Sequence, residues 1–129
     1  MVKKANEVVN YSNPINAMIE RLATEPPIPF IWSGIKKGSF GFVFGPAKSG
    51  KTIFCEILAI SLASGLAEFM NTPLLQEEVI PKVLFISLEE YWQPRTERNK
   101  SQVKQLIFKH NVTDLSNYIV INEEFPRFY

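Results

Sequence analysis

With one cysteine and one histidine in 129 residues, this chain can build neither a disulfide framework nor a cysteine–histidine metal cluster. The lone thiol, Cys55, falls in an apolar stretch and reads as a core filler, and the lack of disulfides suits a reducing cytoplasm. The net charge is +1, which excludes bulk attraction to nucleic acid or to an anionic membrane, so any polyanion contact has to be local. No apolar run approaches the roughly 18 residues that cross a bilayer. The polar stretch from Met1 to Ala23 also lacks the apolar run of a secretory signal. No internal repeat is visible. A content of 46% hydrophobic and 21% charged residues is enough for an ordinary globular core, and the length fits one domain.

One octapeptide stands out from this plain background. Gly45-Pro46-Ala47-Lys48-Ser49-Gly50-Lys51-Thr52 fits the pattern G-x-x-x-x-G-K-[ST]. Ser39 to Phe44 before it is predicted as an apolar strand, and Ile53 to Ser64 after it as a helix closing at Gly65. Strand, loop and helix are the context that a phosphate-binding loop requires. Glycines let backbone wrap an anion, and successive N–H groups and the helix N-terminus point at it. The predicted contacts run from Gly45 to Ile53: Lys51 reaches the outer phosphates and Thr52 offers its hydroxyl to Mg²⁺. The expected ligands are ATP or ADP with Mg²⁺. Lys48 is either a second cation beside the phosphates or a solvated lysine on the outer rim, and the pattern leaves both open.

Residues 1–25 read as an N-terminal arm and 26–129 as the nucleotide-binding domain. Within the arm, Asn13 to Ala23 is predicted helical, with Asn13 as N-cap, Pro14 in the first turn, and Ile15, Met18, Ile19 and Leu22 on one face. That stripe is expected to pack on another subunit or on a distant surface of its own domain. Pro26-Pro27-Ile28-Pro29 forms a stiff connector. Phe30 to Trp32 is a predicted edge strand, followed by a turn at Lys36-Lys37-Gly38. The helix after the loop is apolar around most of its circumference, so it is expected to be buried on nearly all sides. A short helix is expected near Leu74 to Glu78. Lys82 to Leu88 reads as an interior strand of a parallel sheet. A helix from Pro94 or Arg95 to Lys109 turns Val103, Leu106 and Ile107 inward and ends at Asn111 as a left-handed cap. His110 then reads as a surface cap residue where the helix dipole favours cations. Tyr118 to Ile121 is a further strand.

The β-α-β-α-β alternation predicts an α/β fold: a parallel sheet with flanking helices, right-handed crossovers and a ligand site at the strands' carboxyl ends. Glu89 and Glu90 fall on that rim beside the loop. A carboxylate there can orient and deprotonate a water near the outer phosphate. Strand alternation lets at most one of the two face the phosphates.

From Pro29-Phe30-Ile31-Trp32-Ser33-Gly34-Ile35 through Lys37-Gly38-Ser39, the Gly45–Thr52 loop and Val83-Leu84-Phe85-Ile86-Ser87-Leu88-Glu89-Glu90, the chain resembles the nucleotide-binding core of RecA-like P-loop ATPases. The likeness is closest to the RepA-type plasmid helicases and the KaiC and DnaB group, and it covers about residues 28–124. It implies that Glu89 polarises the attacking water, that Lys51 acts on the transferring phosphate, and that Arg95 or Arg98 loosely matches a basic residue following that glutamate. It further implies a homo-oligomeric ring or filament and a role in DNA replication, recombination or plasmid maintenance. Single-stranded DNA is a possible partner, although no basic aromatic stripe supports it. No apolar run after Glu90 ends in the Mg²⁺-coordinating aspartate of a Walker B strand, and Asn122-Glu123-Glu124 is a poor substitute. The expectation is therefore a RecA-like core truncated before Walker B, with poor turnover on its own. Two other functions compete: a small P-loop kinase, which would need an arginine-rich lid not visible here, and a nucleotide-sensing or partner-binding fragment that does not hydrolyse.

Overall fold

The computed structural model describes residues 13–112 and 114–121, so the arm before Asn13 and the triplet Asn122-Glu123-Glu124 lie outside the described residues. In chain order the elements are α1 (Ile15–Thr24), β1 (Phe30–Trp32), β2 (Ile35–Lys36), α2 (Lys51–Ala63), β3 (Glu68–Phe69), β4 (Thr72–Pro73), β5 (Val83–Ile86), α3 (Trp92–His110) and β6 (Tyr118–Ile121). The fold is α/β. β5 and β6 pair in parallel from Val83 opposite Tyr118 to Ile86 opposite Ile121, with α3 as the crossover. Two short antiparallel hairpins, β1–β2 and β3–β4, stand beside them. Among the described residues no helix is long and apolar enough to cross a membrane.

The parallel ladder defines which edge of β5 is free. Val83 N–H donates to Asn117 O at 2.8 Å and Ser87 N–H to Ile121 O at 2.9 Å, so the odd-numbered residues face β6. By alternation, the backbone groups of Leu84 and Ile86 face the other edge, where no strand is paired among the described residues. Ser39 to Phe44, expected as a strand, forms no ladder. Phe40, Phe42 and Phe44 are 90%, 76% and 85% exposed, with ring centroids 6.4 and 5.8 Å apart along one side. The two-residue alternation of a strand is present, but without a neighbour to take its N–H and C=O groups the segment cannot become one.

The same missing cover changes α2 and β5. Expected to be buried nearly all round, α2 buries only Glu56, Ala59, Ile60, Ser61 and Ala63, and Ile53 is half exposed. β5 was expected inside a sheet covered on both faces, yet Leu84, Ile86 and Leu88 are exposed, together with Ile119 on the same face of β6. Among the described residues only the other face is covered: α2 packs on both strands, and Phe85 meets Tyr118 there at 6.1 Å.

Residues 66–80 hold a hairpin instead of the helix expected near Leu74 to Glu78. Met70 and Asn71 take φ of 50° and 59° between β3 and β4, the two positive values that a tight primed hairpin turn needs. An aromatic triad ties both hairpins to α2. Trp32 sits 5.7 Å from Phe54 and 5.4 Å from Phe69, Phe54 sits 5.6 Å from Phe69, and Trp32 Nε1–H donates to Phe69 O at 2.9 Å. Leu75 N–H donates to Ile31 O at 2.9 Å, and the adjoining Leu74 is buried.

α1 forms as expected, although Pro14 rather than Asn13 is its N-cap. None of its residues is buried, so among the described residues the stripe of Ile15, Met18, Ile19 and Leu22 covers no surface of its own domain. α3 ends at Asn111 with φ of 53°, and Asn111 N–H donates to Ile107 O at 3.0 Å, as predicted; His110 is exposed beside it. Its buried residues are Arg95 and Asn99, not the expected Val103, Leu106 and Ile107. The inner face of α3 is polar because it meets a carboxylate on α2.

Candidate functional site

The Gly45–Thr52 loop is a chain of turns leading into α2. Two residues take left-handed backbone, Lys48 at φ 60° and Gly50 at φ 88°. At Gly45 the constraint is space: a Cβ there would lie 2.7 Å from Ser49 Oγ. The first α2 backbone bond is Phe54 N–H to Gly50 O at 2.9 Å, which leaves the N–H groups of Lys51, Thr52 and Ile53 without a backbone acceptor among the described residues. Those donors and the dipole of α2 favour an anion at this end. Lys51 Nζ donates to Gly45 O at 2.5 Å and to Pro46 O at 2.8 Å, so the ammonium is folded back over the loop.

Lys51 and Thr52 belong to two adjoining clefts. One, of about 420 Å³, is bounded by Val43, Cys55, residues 85–88, Glu89 and Glu90. The other, of about 520 Å³, is bounded by Lys48 to Ile53, Glu90 and Arg98. Both volumes suit a small ligand. Of the site residues expected from sequence, Lys51, Thr52 and Glu89 share the first cleft with Glu90, and Lys48 to Ile53 share the second with Glu90, whereas Gly45, Pro46 and Ala47 line neither. Strand alternation was expected to turn one glutamate away, but both line the first cleft, because the strand ends at Ile86 and the chain bends at Glu89 and Glu90. Lys48 is exposed on the second cleft.

What separates the two glutamates is Arg98. Its guanidinium donates from Nη1 to Glu90 Oε2 at 2.8 Å and from Nη2 to Glu90 Oε1 at 2.9 Å. It also donates from Nε to Glu56 Oε1 at 2.8 Å and from Nη2 to Glu56 Oε2 at 3.2 Å. Asn99 Nδ2 adds a bond to Glu56 Oε2 at 2.6 Å. Hydrogen bonding from Arg98 holds the Glu90 carboxyl below the usual range, and the two carboxylates raise Arg98 in turn. Glu89 is exposed and engages no cation among the described residues. Arg95 is buried behind this rim, with Nη1 3.3 Å from Ser87 O and Nε without a partner. Burial, and then the negative charge of Glu56, push the Cys55 thiol up, in keeping with a filler rather than a nucleophile.

Glu56 is the residue that sequence reasoning missed. It is fully buried, one helical turn beyond Thr52. Its signal was present: a single carboxylate on an otherwise apolar helix needs a cation, and an arginine of α3 supplies it. Against known protein families, curated proteins and solved structures, the chain finds no match.

Proposed function

We propose that the Gly45–Thr52 loop binds the phosphates of ATP or ADP with Mg²⁺, and that the chain is the nucleotide-binding part of a RecA-like P-loop ATPase acting in DNA maintenance. One observation carries most of the weight: unpartnered N–H groups at the start of α2, the Lys51 ammonium and a free carboxylate at Glu89 meet around one cleft. Phosphate oxygens accept from the loop N–H groups, and Lys51 exchanges its bonds to Gly45 O and Pro46 O for the outer phosphates. Glu89 orients and deprotonates the attacking water.

Among the described residues no group of three or more His, Cys, Asp or Glu side chains could hold a metal by itself. Mg²⁺ does not need one, since it keeps several waters and takes one or two protein oxygens besides the phosphates. The exposed Thr52, on the wall of that cleft, supplies one such oxygen from its hydroxyl. Bound there, the ion supplies charge neutralisation on the phosphate oxygens. The exposed stripe of α1 supports a homo-oligomer as the working form. The free edge of β5 favours slow turnover, and with it a second reading, nucleotide binding without hydrolysis.

The test is a thermal melt with Mg-ATP. At about 100 times Kd the ligand adds about 2.7 kcal/mol of stability, which raises the melting temperature of a domain this size by several degrees. Loss of a charged hydrogen bond at Lys51→Ala should weaken binding about ten- to a hundred-fold. A folded chain whose melt ignores Mg-ATP sinks the proposal. Turnover of about 1 per second, an ordinary enzymatic rate, would remove the slow-turnover part.

A further inference from the structure

We propose that Arg98 is a positioning residue, which clamps Glu90 to the buried Glu56 of α2 and so leaves Glu89 as the one free carboxylate, among the described residues, beside Lys51 and Thr52. The inference deepens the phosphate-binding proposal for the Gly45–Thr52 loop and rests on it. Three observations lead to it. The guanidinium spans two carboxylates from different elements, one at the turn after β5 and one on the helix that begins with Lys51. Glu90 lines both clefts around Lys51 and Thr52, so an unclamped Glu90 would put a second negative charge where phosphates are to bind. The side chain of Glu56 is 0% exposed against 36% for Glu90, so only Glu90 is free to leave toward solvent or toward Lys51.

This asymmetry makes the clamp testable without unfolding the protein. Arg98→Ala would leave Glu56 buried and unpaired, a change that threatens folding. Arg98→Lys keeps one positive charge but loses the planar fork. The single ammonium stays with Glu56, where an unpaired charge is least tolerable, and Glu90 is released. A freed carboxylate repels ATP more than ADP, because ATP carries more negative charge. Arg98→Lys should therefore weaken Mg-ATP about ten-fold, equivalent to about 1.4 kcal/mol, and Mg-ADP by a clearly smaller factor. Adding Glu90→Gln removes the released charge and should bring Mg-ATP affinity back to within about two-fold, whereas a strut with only a structural role gains nothing from that second change.

The experiment is a calorimetric titration of Mg-ATP and Mg-ADP into wild type, Arg98→Lys, Arg98→Lys with Glu90→Gln, and Lys51→Ala, together with carboxyl-carbon NMR of Glu90 from pH 2 to 7. The expected result is selective loss of ATP affinity, rescue by the double variant, and a Glu90 titration that returns upward to the ordinary carboxylate range in Arg98→Lys. Unchanged affinity in Arg98→Lys, or a double variant as weak as the single one, overturns the positioning role. A wild type that binds neither nucleotide, or a Lys51→Ala that binds equally well, overturns the loop assignment instead. The Glu90 titration then decides the clamp by itself, and an unmoved Glu90 overturns it.

Discussion

Tyr118→Phe should make this protein more stable, although it removes a polar group from a residue at the centre of the helix–sheet contact. Tyr118 opens β6 and sits against Phe85 with its hydroxyl buried and without a hydrogen-bond partner among the described residues. Leaving a buried polar group unsatisfied costs about 1–3 kcal/mol. Phenylalanine keeps the ring and its contact while deleting the hydroxyl. With Tyr118 partly open to solvent, the low end of that range applies, a gain of about 1 kcal/mol. Burial first, and then the charge of Glu56, push the Tyr118 hydroxyl up to about 12, with Arg95 and Arg98 opposing. In the unfolded chain tyrosine ionises near about 10. Between those values the folded state holds a proton that the unfolded state has lost, so stability is fully present below about pH 10 and falls as pH rises toward about 12. Because the residue is partly open to solvent, screening keeps the fall well below the roughly 2.7 kcal/mol that two full pH units would give. Urea denaturation of both proteins at pH 7 and in steps from 9 to 12 measures each part. Lysines and the other tyrosines titrate equally in both, so the difference isolates Tyr118. A loss of more than about 1 kcal/mol at pH 7 would mean the hydroxyl has a partner after all. Parallel stability curves above pH 10 would refute the burial argument.

Lys48 holds φ of 60°, so Lys48→Gly should change stability by less than about 0.5 kcal/mol, relief of strain offsetting lost chain entropy. Lys48→Thr, β-branched in the same backbone, should cost about 1–2 kcal/mol, and urea midpoints compare the two. In α1, Ile19 and Leu22 are 60% and 75% exposed. Changing both to glutamate should leave the unfolding free energy within about 0.5 kcal/mol, as for ordinary surface sites, while lowering the mass found by light scattering. An unchanged oligomer, or a monomeric wild type, would remove α1 as an intersubunit contact.

Features set by neighbouring residues were legible in the sequence. The spacing of Gly45, Gly50, Lys51 and Thr52 marks the loop, Asn111 marks the end of α3, and the position of Glu89 and Glu90 just after the apolar strand puts them on the rim they share with Lys51 and Thr52. Features set by partners distant in sequence were not. Ser39 to Phe44 has the alternation of a strand, but whether it becomes one depends on a neighbour that no local pattern specifies. The turn at Met70 and Asn71 escaped notice because neither residue is the glycine that usually marks positive φ. The pattern of α3 pointed Val103, Leu106 and Ile107 inward, and only the position of Glu56 on α2 turns Asn99 inward instead. The second half of the candidate site, the Glu56–Arg98–Glu90 bridge, reaches from Arg98 to a glutamate 42 positions away on another helix, beyond any motif's reach.

Covered and uncovered surfaces divide the molecule along functional lines. The covered side holds Ala59, Ile60 and Ala63 of α2, then Leu74 and Val112, with the Arg98 bridge among them, and it fixes the start of α2 and the turn after β5. Left uncovered among the described residues are Phe40, Phe42 and Phe44, the Leu84, Ile86 and Leu88 face, and one edge of β5. A two-stranded sheet is marginal alone, and apolar surface of this extent is an interaction surface rather than a solvated one. Val43 and residues 85–88 wall the same cleft as Lys51 and Glu89. A further strand laid parallel on the β5 edge would therefore bring its carboxyl end to that cleft, opposite the free Glu89. Such an element would at once cover the apolar face left open among the described residues and reach the cleft.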